Sequence, residues 1–137
     1  MMKQLLLLTI LGVVTITATF ILLINTSGAQ AQQVSKDAVT EDCLNLAAAA
    51  VGYYLKPALL QGGNQSFNNI DIADCGMTEA GSKLTGCNLN GVYTIEATGA
   101  KLTITGISAG RRKNAVVLIC DMEQSRENRV TITRVAM

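Results

Sequence analysis

The chain contains no histidine and no tryptophan, a single proline, and only 4% aromatic residues. Histidine is the commonest metal ligand and the usual general base near neutral pH, so its absence removes most hydrolytic and metalloenzyme designs. No Ser-His-Asp, Cys-His, paired-carboxylate or phosphate-loop constellation can be assembled from the sequence. No catalytic residue, cofactor or metal is therefore expected. With so few aromatics, packing falls to small aliphatic side chains. Charge is also scarce: 15% of residues, 11 Lys and Arg against 10 Asp and Glu, for a net +1. Polyanion binders are usually far more basic, so nucleic acid is not an expected partner. A hydrophobic fraction of 49% excludes a disordered tail protein. A length of 137 residues allows one domain, or one small domain with a tail.

What is abundant is apolar sequence, and it is unevenly placed. Residues 5–24 carry no charge. As a helix, at roughly 1.5 Å per residue, they match a ~30 Å hydrocarbon core. Lys3 precedes the run and the first acid is Asp37, which favours a cytoplasmic N-terminus with the bulk of the chain outside. Two readings fit. One is a cleaved secretory signal, with Ala29-Gln30-Ala31 as a small-x-small cleavage site; the run exceeds the usual ~7–15 residue apolar stretch of such signals. The other is a retained helix. The following Asn25, Thr26, Ser27 and Gly28 are poor helix formers and mark a weak point.

From residue 34 a second helical pattern begins. Val39, Cys43, Leu46, Ala47, Ala50 and Tyr54 recur at a helical period, and Leu44, Ala48, Val51 and Leu55 form another face. A helix apolar on two faces needs two partners. Pro57 and then Gly62-Gly63 end it. The Gly-, Asn- and Ser-rich stretch 61–90 reads as loop, with Ile70-Asp71-Ile72 a possible short strand. The last third reads as four strands, about 91–98, 101–108, 114–122 and 129–136, with Gly99-Ala100 as a tight hairpin turn. Short connections imply an antiparallel meander, covered by the helix 34–56. The expected fold is thus α+β: a long N-terminal helix packed on a four-stranded antiparallel sheet. Residues 1–33 form the apolar segment and 34–137 the globular domain.

This layout resembles the type IV pilin superfamily. The resemblance is carried by the apolar run 5–24, by Asp37-Ala38 through Asp42 to Leu46 and Ala47–Ala50, and by Tyr53-Tyr54-Leu55-Lys56-Pro57. It spans the whole chain, although no single motif is highly specific. It implies a pilin-like fold and a non-enzymatic subunit of an extracellular type IV pilus-like filament, membrane-inserted before assembly. The implied partners are further copies of itself, the inner membrane and pilus assembly machinery. Pilins usually carry a glutamate at the fifth mature position; this chain has Leu5 and Leu6 there, with Gln4 beside them. Independently of the resemblance, an all-round apolar helix suits a fibre core of equivalent helices, with Leu5, Leu8, Leu11, Ile16, Phe20 and Leu23 buried against neighbours, and Gly12 and Ala18 permitting close approach. The alternative is a small secreted or membrane-tethered β-rich binding module, with residues 5–24 as signal or anchor.

Cys43, Cys75, Cys87 and Cys120 contain no C-x2–4-C pair, which disfavours zinc. Outside the membrane an even count points to disulfides. Cys43 lies on the helix face meant for the sheet and Cys120 ends its most apolar strand, so Cys43–Cys120 with Cys75–Cys87 is the expected pairing. The other two connectivities, and free buried thiols, stay open. Arg111-Arg112-Lys113 reads as a solvated turn, or as a patch for an anionic surface. Asp71, Asp74 and Glu79 lack the spacing of a calcium loop.

Overall fold

The computed structural model describes residues 2–110 and 113–136, with side chains for all of these except 12–34 and Ala136. The chain divides into two compact units, Met1–Val34 and Ser35–Met137. Helix α1 is assigned Met2–Leu55. In the first unit the described side chains are those of residues 2–11. Ile16, Phe20 and Leu23 lie outside the described side chains, while the backbone at the expected weak point Asn25–Gly28 is helical, within α1. Among the described residues no helix is long and apolar enough to cross a membrane.

In the second unit six strands follow the helix: β1 (Glu79–Ser82), β2 (Thr85–Cys87), β3 (Gly91–Thr98), β4 (Lys101–Ser108), β5 (Asn114–Asp121) and β6 (Val130–Ala136). They form one antiparallel sheet in the order β1-β2-β3-β4-β5-β6. This corrects the expected fold of a long N-terminal helix on four strands. The sheet has six strands, and what packs on it is the stretch 35–55. The two extra strands are short, made largely of small residues, and carry no alternating apolar pattern. Ile70-Asp71-Ile72 is not a strand; Ile72–Cys75 is a short 3-10 helix.

The core follows from register. Tyr93, Ile95, Leu102, Ile104, Val116, Leu118 and Cys120 point to one sheet face, and Val39, Cys43, Leu46, Ala47 and Ala50 meet them from the helix. Tyr93 sits in one cross-strand row with Gly86 on β2 and Gly106 on β4. Gly106 makes room for its ring and for the helix, while Gly86 makes room for Ile72 and Met77. A Cβ on Gly106 would lie 2.8 Å from Val39 Cγ1, 2.9 Å from Cys43 Sγ and 3.0 Å from Tyr93 Cε1.

The helix stops at Leu55, two residues before Pro57, as proline demands of its predecessor. Its last carbonyls are not orphaned. Gly63 N–H donates to the Tyr53 carbonyl at 2.8 Å, Gln65 N–H to Tyr54 at 2.8 Å, and Asn64 N–H to Lys56 at 3.0 Å. Phe67, fully buried, stacks on Tyr54 at a centroid distance of 4.8 Å. The hairpin at Gly99-Ala100 has Gly99 at φ 58°, the positive angle that a two-residue turn with a leading glycine requires.

Candidate functional site

Two features stand out from the core. The first is a polar clamp between the helix and the β2–β3 turn. Asp42 Oδ2 accepts from Tyr93 Oη at 2.6 Å, Asn90 Nδ2 at 2.8 Å and Asn88 Nδ2 at 2.9 Å. The turn Asn88-Leu89-Asn90 is shaped by its own side chain: Asn88 Oδ1 accepts the N–H groups of Asn90 (2.8 Å) and Gly91 (3.1 Å). Burial works to raise the Asp42 pKa, but the three donated hydrogen bonds outweigh it and hold the carboxyl below its ordinary 3.8. Burial, and then the bond to the Asp42 carboxylate, push the Tyr93 phenol far above its ordinary 10.0. Both groups are thereby fixed in one protonation state across the physiological range. That suits a fastener between helix and sheet, not a proton shuttle.

The cysteines are tuned the same way. All four are free thiols; Cys43, Cys75 and Cys120 are buried and Cys87 is exposed. Burial, with Asp42 adjacent, raises Cys43 to about 11. Burial, with Asp74 adjacent, raises Cys75 to about 12. Neutral thiols are poor nucleophiles. The expected disulfides do not form in this fold, and the register shows why. Cys43 packs on Gly106, whereas Cys120 pairs with Leu102, four residues along β4 and so roughly 13 Å away at about 3.3 Å per residue. A disulfide needs Cα atoms within about 7 Å. Cys87 alternates with Gly86, the residue that packs on Ile72 and Met77, so its side chain leaves the face on which Cys75 is buried.

No protein-family model, curated protein or solved structure matches the chain. Its function must be argued from its own surfaces.

The second feature is uncovered apolar surface. In the first unit Leu5, Leu8 and Leu11 of the expected core set are 72%, 74% and 64% exposed. Met2, Leu6, Leu7 and Ile10 are exposed as well, so the helix is bare and apolar on every side there. In the second unit the face of Val39, Cys43, Leu46 and Ala50 is fully covered by the sheet. The other helix face, with Leu44, Ala48 and Leu55, is open. Val130 and Ile132 of β6 extend the core face of the sheet but are exposed.

Two of the three acids weighed for calcium are committed elsewhere. Asp71 and Asp74 form a capping box on the 3-10 helix Ile72–Cys75, with Asp71 N–H donating to Asp74 Oδ2 at 3.0 Å. Among the described residues no cluster suited to a metal is found. Arg111 and Arg112 lie outside the described residues, and Lys113 is exposed at the β4–β5 turn. The sequence reading missed Asn88, Asn90 and Tyr93 as partners of Asp42. The available signal was Asn88-Leu89-Asn90-Gly91, an Asn-rich turn leading into a strand, together with one acid beside the buried helix position 43.

Proposed function

We propose that this chain is the structural subunit of an extracellular type IV pilus-like helical filament, polymerising through its N-terminal helix. The observation that carries the reading is the exposure of Met2 and Leu5–Leu8 on a helix whose uncharged run extends to residue 24. Apolar surface on all sides of a helix has to be covered. Lipid covers it before assembly and copies of the same helix cover it in the fibre. The polar clamp at Asp42 fits a structural role, because it fastens the sheet to the stretch of α1 within the second unit. Extracellular display rests on the apolar run and not on the cysteines, which are unpaired. The test is Leu8→Asp in the full chain, read by sedimentation and electron microscopy. An unpaired charge buried in an apolar contact costs several kcal/mol. Polymer should be lost while far-UV circular dichroism of the β-rich unit is unchanged. Wild-type fibre yield from Leu8→Asp would overturn the reading.

A further inference from the structure

The sheet ends in two open edges, β1 on one side and β6 on the other. β6 is seven residues, VTITRVA, every described one of them exposed. Natural proteins usually blunt such an edge with proline, lysine, a bulge or a covering loop. β6 has no proline or lysine and pairs with β5 in unbroken register; Arg134 is its one charge, and alternate N–H and C=O groups along its outer side have no strand partner. β1 is the other edge, four residues long, with a register shift between Glu79 and Ser82 in its pairing to β2, and exposed at Glu79, Gly81 and Ser82.

The two edges carry opposite charge. Around β6 stand Arg129, Arg134, Lys36 and Lys113, with Asp121 joined to the Arg129 carbonyl through its backbone N–H at 2.8 Å and Asp37 following Lys36 in the chain, so basic groups outnumber acids. Arg129 Nε is buried with no hydrogen-bond partner among the described residues. Lys36 and Arg134 line a shallow cavity of about 130 Å³ with Asn114, Ala115, Val116 and Val135, and no acid lines it. Among the described residues neither makes an ion pair. Around β1 stand Glu79, Asp74 and Asp71, of which, among the described residues, only Asp71 has a basic neighbour: Lys83 at 3.9 Å, 75% exposed and so heavily screened.

We propose that the β6 edge of one copy docks on the β1 edge of the next, with the Lys36–Arg134 cavity receiving the Glu79 carboxylate. The occupant is a second copy of this chain, because one molecule carries both complementary edges on opposite sides of one sheet. A contact between different surfaces related head to tail does not close on itself and gives an open polymer. The inference rests on the filament reading and names the lateral contact that the globular units make within it.

The test uses the full chain and three proteins: wild type, Lys36→Glu/Arg134→Glu, and Thr78→Lys/Glu79→Lys. Each variant makes both of its edges like-charged, so each alone should lose at least ~10-fold of its sedimentable polymer. A one-to-one mixture pairs an acidic β6 edge with a basic β1 edge and should recover it. Circular dichroism verifies folding, and recovery in the mixture itself shows that both variants are folded. Wild-type polymer with undiminished polymer from both variants overturns the edge contact and leaves the filament reading standing. Folded variants that stay apart when mixed also overturn it. A monomeric wild type overturns both, as does flotation of a monomeric wild type, but not of Lys36→Glu/Arg134→Glu, with phosphatidylserine vesicles.

Discussion

Removing the Asp42 carboxylate should release the β2–β3 turn from the helix and strand a buried phenol. Asp42 accepts three hydrogen bonds on one oxygen, and the shortest, at 2.6 Å, comes from Tyr93, whose residue is 0% exposed. A bond to a charged group contributes about 1.5–3 kcal/mol net, and a buried hydroxyl left without a partner costs about 1–3 kcal/mol. The three bonds share an acceptor and do not add. Asn88 is exposed and regains water. We expect Asp42→Ala to cost ~2–4 kcal/mol, which for a domain of about this size lowers Tm by roughly 10–20 °C. Asp42→Asn keeps an acceptor but loses the charge and should fall between. Urea unfolding followed by far-UV circular dichroism is the assay, since the chain has no tryptophan to report. Asp42→Ala within about 0.5 kcal/mol of wild type would refute the clamp.

The clamp also predicts a pH profile. Asp42 has a folded pKa below its unfolded 3.8, so its contribution is present above about pH 3.8 and is lost as pH falls through the folded value. Tyr93 is raised, so its contribution is full below about pH 10 and declines above it, as only the unfolded phenol ionises there. Asp42→Asn should flatten the acid limb; an unchanged limb contradicts the assignment. Gly106→Ala drives a methyl into Val39, Cys43 and Tyr93 and should cost ~1–3 kcal/mol, whereas a neutral result in urea melts would mean the helix rides higher on the sheet. Thiol labelling of the native protein at pH 8 should modify exposed Cys87 first and leave Cys43, Cys75 and Cys120 until unfolding. A Cys43–Cys120 disulfide peptide from the native protein would show the β4–β5 register to be wrong.

The sequence announces strongly patterned elements and hides those set by tertiary contact. Residues 91–98 and 101–108 read as a hairpin because β-branched residues alternate around Gly99-Ala100, and β3 and β4 occupy those segments. The buried helix stripe was legible from its period. β1 and β2 were not, because Glu79–Ser82 and Thr85–Cys87 have almost no apolar content and become strands only through pairing, β2 with β3 and β1 with β2. Tyr93 gave no hint of its role: its partners Asp42 and Gly106 are distant in sequence, and only register brings them together. The cysteine pairing failed for the same reason. Cys43 and Cys120 do share a helix–sheet interface, but spacing along β4 cannot be read without knowing where the helix crosses it.

The central claim is that the N-terminal helix polymerises the chain. Cryo-electron microscopy of the assembly isolated from native material tests it most directly. The account predicts a helical fibre in which Leu5, Leu8 and Leu11 of each copy pack against the same helix of its neighbours, away from water. Single copies, each with that helix surrounded by lipid or detergent and in contact with no other, would contradict it.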